Sequence, residues 1–439
     1  MRKITLLFLI CLSVKMNAQQ TDKYKKLDSL LRYLSENNKF MGSVTLREKD
    51  KIVFSNAYGF SDFDHNVKAS PKTKYKIGSI TKMFTASIIF QLIETNKLKL
   101  DTKISKYFPE IKNAEKITIA DLLGHRSGIF NFTNDPDFAI FSEIPQTRES
   151  MVKRIAAYEP AFEPNSKSDY SNSNYLLLGY IIETITKKSY PENVTERIVK
   201  KIGLSDTKYY GKIDASNNEA FSYAYDGKKW EKREEWQESV AYAAGALQST
   251  TDDLTVFVRA LFEGKLINKT SLSAMTTITD GYGKGIFTFP FFAKTFYGHT
   301  GGIEGFSSML GYNQEDGLAY AMTVNGANYD TNQIAIYVLS SYYGTAFKWP
   351  EFKTVAVDEK KLQSYAGIYA TDKMPIKITI AYNNGGLTAQ ATGQSAFPLT
   401  AESETDFTFE PAGITISFSE NAFKIIQGGM TTDFKKDQE

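Results

Sequence analysis

A serine and a lysine three residues apart carry the first chemical signal in the sequence. Ser79 and Lys82 follow Ile77-Gly78 at the predicted start of a helix, so their side chains share one helix face. A serine hydroxyl must lose its proton as it attacks, and a partly buried lysine with a lowered pKa can receive that proton. By itself the pair is a weak signal, because a helix N-cap followed by a solvated lysine has the same pattern.

A second polar group occurs at Tyr170-Ser171-Asn172. The Tyr170 phenol can relay a proton between the serine, the lysine and a leaving group, either as an acid or, with a pKa depressed by neighbouring cations, as a base. The Asn172 amide both donates and accepts hydrogen bonds, so it can hold Lys82 and a substrate carbonyl. Taken alone, this segment also fits a turn that leads into a buried helix.

The third polar group is His299-Thr300-Gly301-Gly302. A strand edge here supplies backbone N–H groups, and its glycines let a substrate backbone approach closely. His299 can bind substrate or tune Lys82 and Tyr170, and a structural imidazole is the alternative. Because the three groups begin at residues 79, 170 and 299, only the fold can bring them together.

Together the three groups resemble the active-site motifs of the serine β-lactamase and penicillin-binding protein family, which includes class C β-lactamases, D-alanyl-D-alanine carboxypeptidases and related esterases. The flanking segments 122–128, 170–183, 243–250 and 298–306 resemble the same relatives. The resemblance extends over roughly residues 26–343. It implies that a serine attacks an acyl compound and forms an acyl-enzyme.

The resemblance also implies a role for each residue of the three groups. Ser79 is expected to be the nucleophile, and Lys82 and Tyr170 the proton-transfer pair. The backbone N–H groups of Ser79 and Gly302 are expected to form the oxyanion hole. The residues expected to position the substrate are Asn172, His299, Thr300 and Gly301. Neither a metal nor an organic cofactor is expected.

The three motifs do not define the substrate class, because these relatives share one acyl-enzyme mechanism on one fold. In typical β-lactamases the third motif begins with lysine, a permanent cation that suits a carboxylate, whereas His299 is normally neutral near pH 7. We therefore expect a D-alanyl-D-alanine carboxypeptidase-like peptidase or an esterase, acting on a small-molecule or peptide acyl substrate such as cell-wall peptide. A class C-like β-lactamase and a non-catalytic penicillin-binding-like scaffold are the alternatives.

The N-terminal residues 1–18 have the pattern of a secretory signal peptide. Arg2 and Lys3 precede an apolar run from Ile4 to Val14, and Asn17-Ala18 offers a cleavage point. The mature protein is therefore expected in the periplasm or outside the cell. The single cysteine, Cys11, lies in the apolar run; a lipoprotein anchor there is the alternative, although the preceding run is very short.

Composition excludes several function classes. The 439-residue chain has a formal net charge of +2 and no basic block, which argues against nucleic-acid binding. Once the signal is removed no cysteine remains, so thiol catalysis and thiolate metal sites are excluded. His65, His125 and His299 are too scattered for a zinc hydrolase, and we expect His125 to be structural. No later stretch resembles a transmembrane anchor, and nothing indicates the oligomeric state.

The elements that must position the three groups predict an α+β fold. A hairpin pattern at 43–56 precedes the Ser79 helix, and residues 101–266 read as helices and loops. Strand patterns return at 287–325, followed by a helix at 331–343. The pattern predicts an antiparallel sheet contributed by both ends of the chain and flanked by helices, with a helical lobe inserted between them.

The last segment changes character after Lys348-Trp349-Pro350. Apolar residues alternate at 376–380, 407–409 and 414–418, and a glycine-rich turn lies at 383–386. This predicts a small all-β domain, which resembles the lipocalin-like C-terminal domains of related serine hydrolases. It could pack on the catalytic cleft, mediate association or bind a ligand. The predicted organisation is signal peptide 1–18, hydrolase domain 19–346, linker 347–356 and C-terminal domain 357–439.

Overall fold

The computed structural model describes residues 24–352, 355–383, 385–394 and 396–437. The signal peptide predicted for residues 1–18 lies outside them. The chain divides into two compact units: the sheet unit, residues 41–223 and 232–326, and the barrel unit, which takes in residues up to 40, 224–231 and 327 onward. The predicted domain boundaries therefore stay a prediction. In the described residues we find no helix with the length and apolar character needed to span a bilayer.

In the described part of the chain, thirteen short or medium-length strands precede the C-terminal barrel. They are β1 Phe40–Glu48, β2 Lys51–Tyr58, β3 Phe60–Asp62, β4 Val67–Lys68, β5 Tyr75–Lys76, β6 Lys208–Tyr209, β7 Tyr223–Tyr225, β8 Trp230–Lys232, β9 Leu247–Ser249, β10 Phe287–Phe291, β11 Lys294–Ile303, β12 Phe306–Asn313 and β13 Leu318–Ala327. Six of them form the main sheet in the order β10-β11-β12-β13-β1-β2. The β1–β2 hairpin and the β10–β13 meander pair antiparallel, which confirms the predicted sheet from two distant parts of the sequence.

Most helices lie between the two sequence segments that build this sheet. The helices are α1 24–36, α2 Thr81–Glu94, α3 Ile119–Leu123, α4 Phe138–Phe141, α5 Arg148–Ala157, α6 Asn172–Thr186, α7 Tyr190–Val194, α8 Lys200–Ile202, α9 Glu238–Gly245, α10 Thr251–Phe262, α11 Lys269–Thr276, α12 Thr331–Tyr343 and α13 Glu359–Tyr365. The α+β class with an inserted helical lobe is thus confirmed.

Helices α2 and α6 form the centre of the helical lobe. The apolar residues of both helices belong to one buried core, and burial of such side chains contributes about 1.5–3 kcal/mol each. Helix α6 also approaches α9 closely, because a Cβ on Gly179 would lie 2.4 Å from the Ala243 Cβ. This packing brings together the first turns of α2 and α6, which contain Lys82 and Asn172.

The barrel unit contains a closed barrel of eight antiparallel strands, each paired with the next along the chain. The strands are β14 Gly367–Ala370, β15 Lys377–Asn383, β16 Gly386–Ala391, β17 Phe397–Ala401, β18 Asp406–Phe409, β19 Ile414–Ser419, β20 Ala422–Gln427 and β21 Met430–Lys436. Pairing of β14 with β21 closes the barrel. Its buried core is rich in aromatic rings, among them Tyr369, Phe407, Phe418 and Phe423, as expected for the narrow interior of eight strands.

The C-terminal segment differs in one respect from the all-β prediction. Helix α13 precedes the barrel, and its Leu362 and Tyr365 join the barrel core. The helix has only two core-facing residues, so the sequence shows no helical periodicity here. The Asp358 side chain caps the helix by accepting from the Lys360 and Lys361 N–H groups. The β-domain itself is confirmed, while its likeness to lipocalins stays a prediction.

Candidate active site

Ser79 lies in a single 3₁₀ turn, Gly78–Ile80, that leads directly into α2. The sequence predicted the start of an α-helix here, so the turn is tighter than expected. Gly78 has a φ of +50°, a region that favours glycine. A Cβ on Gly78 would lie 2.9 Å from the Gly302 backbone nitrogen. The serine is therefore held in a backbone segment that touches β11.

Lys82 is fully buried and lies at the centre of the site. Its Nζ is 2.9 Å from Ser79 Oγ, 2.8 Å from Asn172 Oδ1 and 2.8 Å from the Ala244 carbonyl oxygen. Burial lowers the pKa of Lys82 well below its ordinary value. The Asn172 and Ala244 oxygens can only accept, so they take both N–H groups of a neutral amine. The remaining lone pair then faces Ser79.

The Tyr170 hydroxyl completes a chain of three groups. It donates to Ser79 Oγ at 2.7 Å, and the Lys82 Nζ lies 4.9 Å from the centre of its ring. Burial raises the pKa of Tyr170 above its ordinary value. The hypothesis of a phenol whose pKa is depressed by neighbouring cations is therefore wrong, because desolvation dominates and also disfavours the charged form of the lysine beside it.

Asn172 begins α6 and is held from two sides. Its backbone N–H donates to Asn131 Oδ1 at 3.0 Å, and its Nδ2 donates to Thr133 Oγ1 at 3.2 Å. These bonds orient Oδ1 toward Lys82. Asn131 and Thr133 were not among the predicted site residues, because hydroxyl and amide residues in a loop give no distinctive sequence signal.

The third group lies on β11, where alternate residues face opposite sides. His299 and Gly301 are buried, whereas Thr300 and Gly302 are exposed. Burial, and secondly the nearby Lys82 amine, lower the pKa of His299 to about 3. The imidazole is therefore neutral at physiological pH, and it packs with its ring centre 4.7 Å from that of Phe287 and 6.3 Å from that of Tyr170.

Gly301 and Gly302 serve different structural needs. A Cβ on Gly301 would lie 2.1 Å from the Ile77 carbonyl oxygen, so only glycine allows β11 to approach the segment before Ser79. A Cβ on Gly302 would meet nothing within 4 Å. Gly302 therefore leaves space open in front of the strand edge, on the side where Ser79 and Asn172 border a cavity.

This cavity has a volume of about 130 Å³. Ser79, Asn172 and Gly302 border it, together with Thr133 and an apolar wall. The large apolar side chains of that wall are Phe132, Phe138, Trp236, Val240 and Ile303. Among the residues that the structure describes, no charged side chain borders the cavity. The shape and lining suit an uncharged or apolar group next to the serine.

His125 was expected to be structural, and its contacts support the site from behind Tyr170. The two rings have centres 4.5 Å apart, and the His125 Nδ1 accepts from the Ser171 backbone N–H at 3.2 Å. Burial lowers the pKa of His125 well below its ordinary value, so this ring is neutral as well. The main-chain carbonyl of Ala244 is the other contributor that side-chain motifs could not reveal.

The described residues contain no cluster of three or more His, Cys, Asp or Glu side chains arranged as a metal site would need. The polar groups around Ser79 are instead an amine, a phenol, an amide and two neutral imidazoles. Such a set can move protons along hydrogen bonds, which is the chemistry of a serine nucleophile activated without an acidic residue.

The fold and this arrangement define a serine hydrolase, and comparison with known proteins identifies the family. The family model for Beta-lactamase matches residues 27–341, and the chain belongs to this family. A teichoic acid D-alanine hydrolase of Staphylococcus aureus is 29% identical over 312 residues, which cover 70% of this chain and 75% of the relative.

Solved structures agree with this assignment. A D-stereospecific amidohydrolase from Streptomyces sp. is 27% identical with a TM-score of 0.64, covering 73% of this chain and 98% of that one. An octameric penicillin-binding protein homologue from Pyrococcus abyssi is 24% identical, also with a TM-score of 0.64, and covers 94% of this chain and 100% of its own. The latter likeness supports the fold alone.

Proposed function

We propose that Ser79 attacks the acyl carbon of an ester or amide and forms a covalent acyl-enzyme. The observation that carries the proposal is the convergence on one serine oxygen of Lys82 Nζ at 2.9 Å and the Tyr170 hydroxyl at 2.7 Å. These distances are within the range required for direct proton transfer. A non-catalytic scaffold has no need for a buried amine beside a serine, since burying an amine is unfavourable.

Lys82 and Tyr170 are both hydrogen-bonded to Ser79 Oγ, so protons can pass between them at this oxygen. The Ser79 proton passes to the Lys82 lone pair as the Oγ–carbon bond forms, and the Asn172 and Ala244 oxygens stabilise the resulting ammonium. Tyr170 donates its proton to the leaving group as the acyl–leaving-group bond breaks, and recovers a proton from Lys82. Water then attacks the acyl carbon, gives its proton to Lys82, and Ser79 leaves with a proton regained from the same chain.

The developing oxyanion requires two donors. We assign them to the backbone N–H groups of Ser79 and Gly302, which border the cavity from two different segments. Loss of one such donor typically costs roughly 3 kcal/mol of transition-state stabilisation. Thr300 and Gly301 complete the strand edge along which the rest of the substrate would lie.

We further propose that the substrate is a D-aminoacyl ester or amide, for example a D-alanyl group on a cell-wall polymer. The printed names of the relatives, a teichoic acid D-alanine hydrolase and a D-stereospecific amidohydrolase, motivate this choice. The neutral His299 and the uncharged cavity lining favour such a substrate over one that carries a carboxylate for the enzyme to bind, such as a penicillin or a peptide ending in D-alanine. Among the open alternatives, an esterase or amidase thus fits better than a carboxypeptidase or β-lactamase.

The proposal also covers the setting in which the enzyme acts. The basic and apolar pattern of residues 1–18 supports export to the periplasm or the cell exterior, where such polymers occur. We propose residues 19–346 as the hydrolase domain, 347–356 as the linker and 357–439 as the C-terminal domain.

Detection of the acyl adduct by intact mass tests the proposal. The purified protein is mixed with a short-chain p-nitrophenyl ester, D-alanyl and L-alanyl p-nitroanilides, a peptide ending in D-alanyl-D-alanine, and benzylpenicillin. We expect adduct or turnover with the ester and the D-alanyl amide, little with the L-alanyl amide, and none in Ser79→Ala. Rapid turnover of benzylpenicillin would reverse the substrate assignment, and absence of any adduct or turnover would indicate a scaffold.

A further inference from the structure

A buried ion pair joins the segment that precedes Ser79 to the turn that follows Gly302. Lys76 Nζ donates to Glu304 Oε1 at 2.7 Å and to Glu235 Oε2 at 3.2 Å. The side chains of Lys76 and Glu304 are 1% and 0% exposed. Removing both charges from water is unfavourable, and hydrophobic residues of similar volume are often as stable or more so. The pair therefore calls for an explanation other than stability.

The two segments that this pair joins are already in backbone contact. Ser308 Oγ donates to the Ile77 carbonyl oxygen at 2.8 Å, and the space that a Cβ on Gly78 or Gly301 would need is occupied by the opposite backbone. No side chain separates the segments at this point. The position of one segment relative to the other thus depends on the contacts that flank this point. The Lys76–Glu304 ion pair is such a contact, and it lies at the β11–β12 turn.

Glu304 is an unfavourable residue for this turn. It has a φ of +55°, which favours glycine or asparagine over glutamate. Its Oε2 atom is buried and has no hydrogen-bond partner among the described residues. Turn formation alone would not select glutamate here, and strain of this kind clusters where function requires a fixed geometry.

Glu304 also reaches the wall of the cavity. Its Oε1 accepts from the backbone N–H of Trp236 at 2.8 Å as well as from Lys76, and Trp236 borders the cavity together with Ser79 and Gly302. One carboxylate oxygen therefore connects the nucleophile segment, the strand edge and the aromatic wall.

We propose that Lys76 and Glu304 are positioning residues that set the separation and direction of the Ser79 and Gly302 backbone N–H groups. The inference rests on the proposed acyl-enzyme function, because it concerns the hole that stabilises its oxyanion. Neither side chain borders the cavity, so the pair acts through the backbone. Hydrogen-bond donors must lie close to the developing oxyanion to stabilise it, and a shift of about 1 Å is enough to lose about a hundredfold in rate.

Two variants separate positioning from folding. Glu304→Gln keeps the side-chain shape and an acceptor oxygen but removes the charge. The double variant Lys76→Met with Glu304→Gln removes both charges of the fully buried pair. Glu235 loses Lys76, but its side chain is 21% exposed and still accepts from the Ile213 N–H, so stability should recover. For both, we expect kcat on a p-nitrophenyl ester to fall at least about tenfold, with KM within about threefold because no contact to the bound ester is removed.

The inhibition constant of a boronic acid is a second measurement, and it should not change if Lys76 and Glu304 only stabilise the fold. A boronic acid forms a tetrahedral adduct on a reactive serine and places an oxygen in the oxyanion hole. We expect its Ki to rise about as much as kcat falls in both variants. Arg47→Met is the matched control, since Arg47 pairs with Asp252 in the same unit, is also largely buried, and does not border the cavity. It should lower the melting temperature without changing kcat or Ki.

The outcomes distinguish this inference from the proposed function. A double variant that is as stable as the parent but slow, with weakened boronate binding, supports the positioning role. A double variant with unchanged kcat and Ki overturns that role while the acyl-enzyme proposal stands. A parent protein that forms no adduct with any ester overturns both.

Discussion

The interior around Ser79 and the interior of the C-terminal barrel are both buried and rich in aromatic rings, yet they are built differently. Beside Ser79 the buried side chains include Lys82, His125 and His299, whereas the barrel core consists of apolar and aromatic residues such as Phe418 and Phe423. In the first interior, burial alters protonation states. In the second, burial simply contributes hydrophobic stabilisation.

The difference shows how a polar interior remains compatible with folding. Burial lowers the pKa of the Lys82 amine and of both imidazoles, which makes their neutral forms more accessible and reduces the cost of burying these groups. The Asn172 and Ala244 oxygens satisfy the lysine N–H groups. The site is therefore a hydrogen-bonded network, and the same desolvation that lowers the pKa of the lysine enables it to act as a base.

Replacement of Lys82 by methionine should produce the largest contrast between the two interiors. Lys82→Met removes the proposed proton acceptor, so kcat/KM on a p-nitrophenyl ester should fall by about 10³-fold. An apolar side chain replaces a buried amine, which is favourable, but the Asn172 and Ala244 oxygens lose their donor, so thermal stability should change little. Lys284→Met is the matched control, since the Lys284 amine donates to the Ala274 carbonyl. Retention of more than a tenth of the activity by Lys82→Met would show that Lys82 is not the proton acceptor.

Removal of the Tyr170 hydroxyl should have the next largest effect. Tyr170→Phe keeps the buried ring but loses the proton donor to Ser79, so kcat should fall by about 10²-fold in steady-state assays. In the control Tyr175→Phe, the lost hydroxyl donates to the Leu123 carbonyl at 2.8 Å. That change should lower the free energy of unfolding by about 1 kcal/mol and leave kcat unaltered. Equal losses of kcat in the two variants would contradict the assignment.

The barrel interior should respond in stability and not in catalysis. Phe418→Ala creates a cavity among the rings of Tyr365, Phe407 and Phe423, and should lower the free energy of unfolding of the barrel by about 3–5 kcal/mol. Denaturant titration followed by near-ultraviolet circular dichroism measures the loss. Ile426→Ala, at a position 42% exposed, should change stability by less than about 0.5 kcal/mol. A large loss of kcat in Phe418→Ala would show that the barrel interior also serves catalysis.

Substitution of His299 should give the smallest effect on rate. The pKa of His299 lies at about 3, so His299→Gln removes no charge above that pH, and kcat/KM should fall less than about tenfold. The acidic limb of the rate profile should remain in place, because it reports protonation of Lys82, whose neutral form is the base. A limb that disappears in His299→Gln would identify the imidazole as the titrating group instead.

The stability of the protein should also depend on His299 in acid. Unfolded His299 binds a proton below about pH 6.5, whereas the folded side chain stays neutral to about pH 3. The unfolded state therefore binds more protons in this range, and the free energy of unfolding should decrease as the pH falls from 6.5 toward 3. The decrease should be smaller in His299→Gln, as measured by denaturant titration at each pH.

Several features followed from the sequence because they are local. The alternation at 43–56 and 287–325 predicted the strands of the sheet, and alternation at 376–418 predicted the β-domain. The short helix α13 was missed, because two apolar residues in one turn do not establish a period. The hypothesis that neighbouring cations lower the pKa of Tyr170 was wrong, because burial raises it. Burial of the phenol and of Lys82 depends on packing by distant segments, which the local sequence does not reveal.

The sequence by itself determined which functional groups this protein can bring to an acyl carbon. They come from the serine and lysine of the first motif, the tyrosine and asparagine of the second, and the histidine, threonine and glycine of the third. Only the tertiary structure decided the pKa shifts of these groups. It also placed the Ala244 carbonyl oxygen where it accepts from Lys82, and brought the backbones of Gly78 and Gly302 into contact. The physical reason is that desolvation and main-chain geometry are properties of the packed chain. Neither is encoded in the spacing of any one motif.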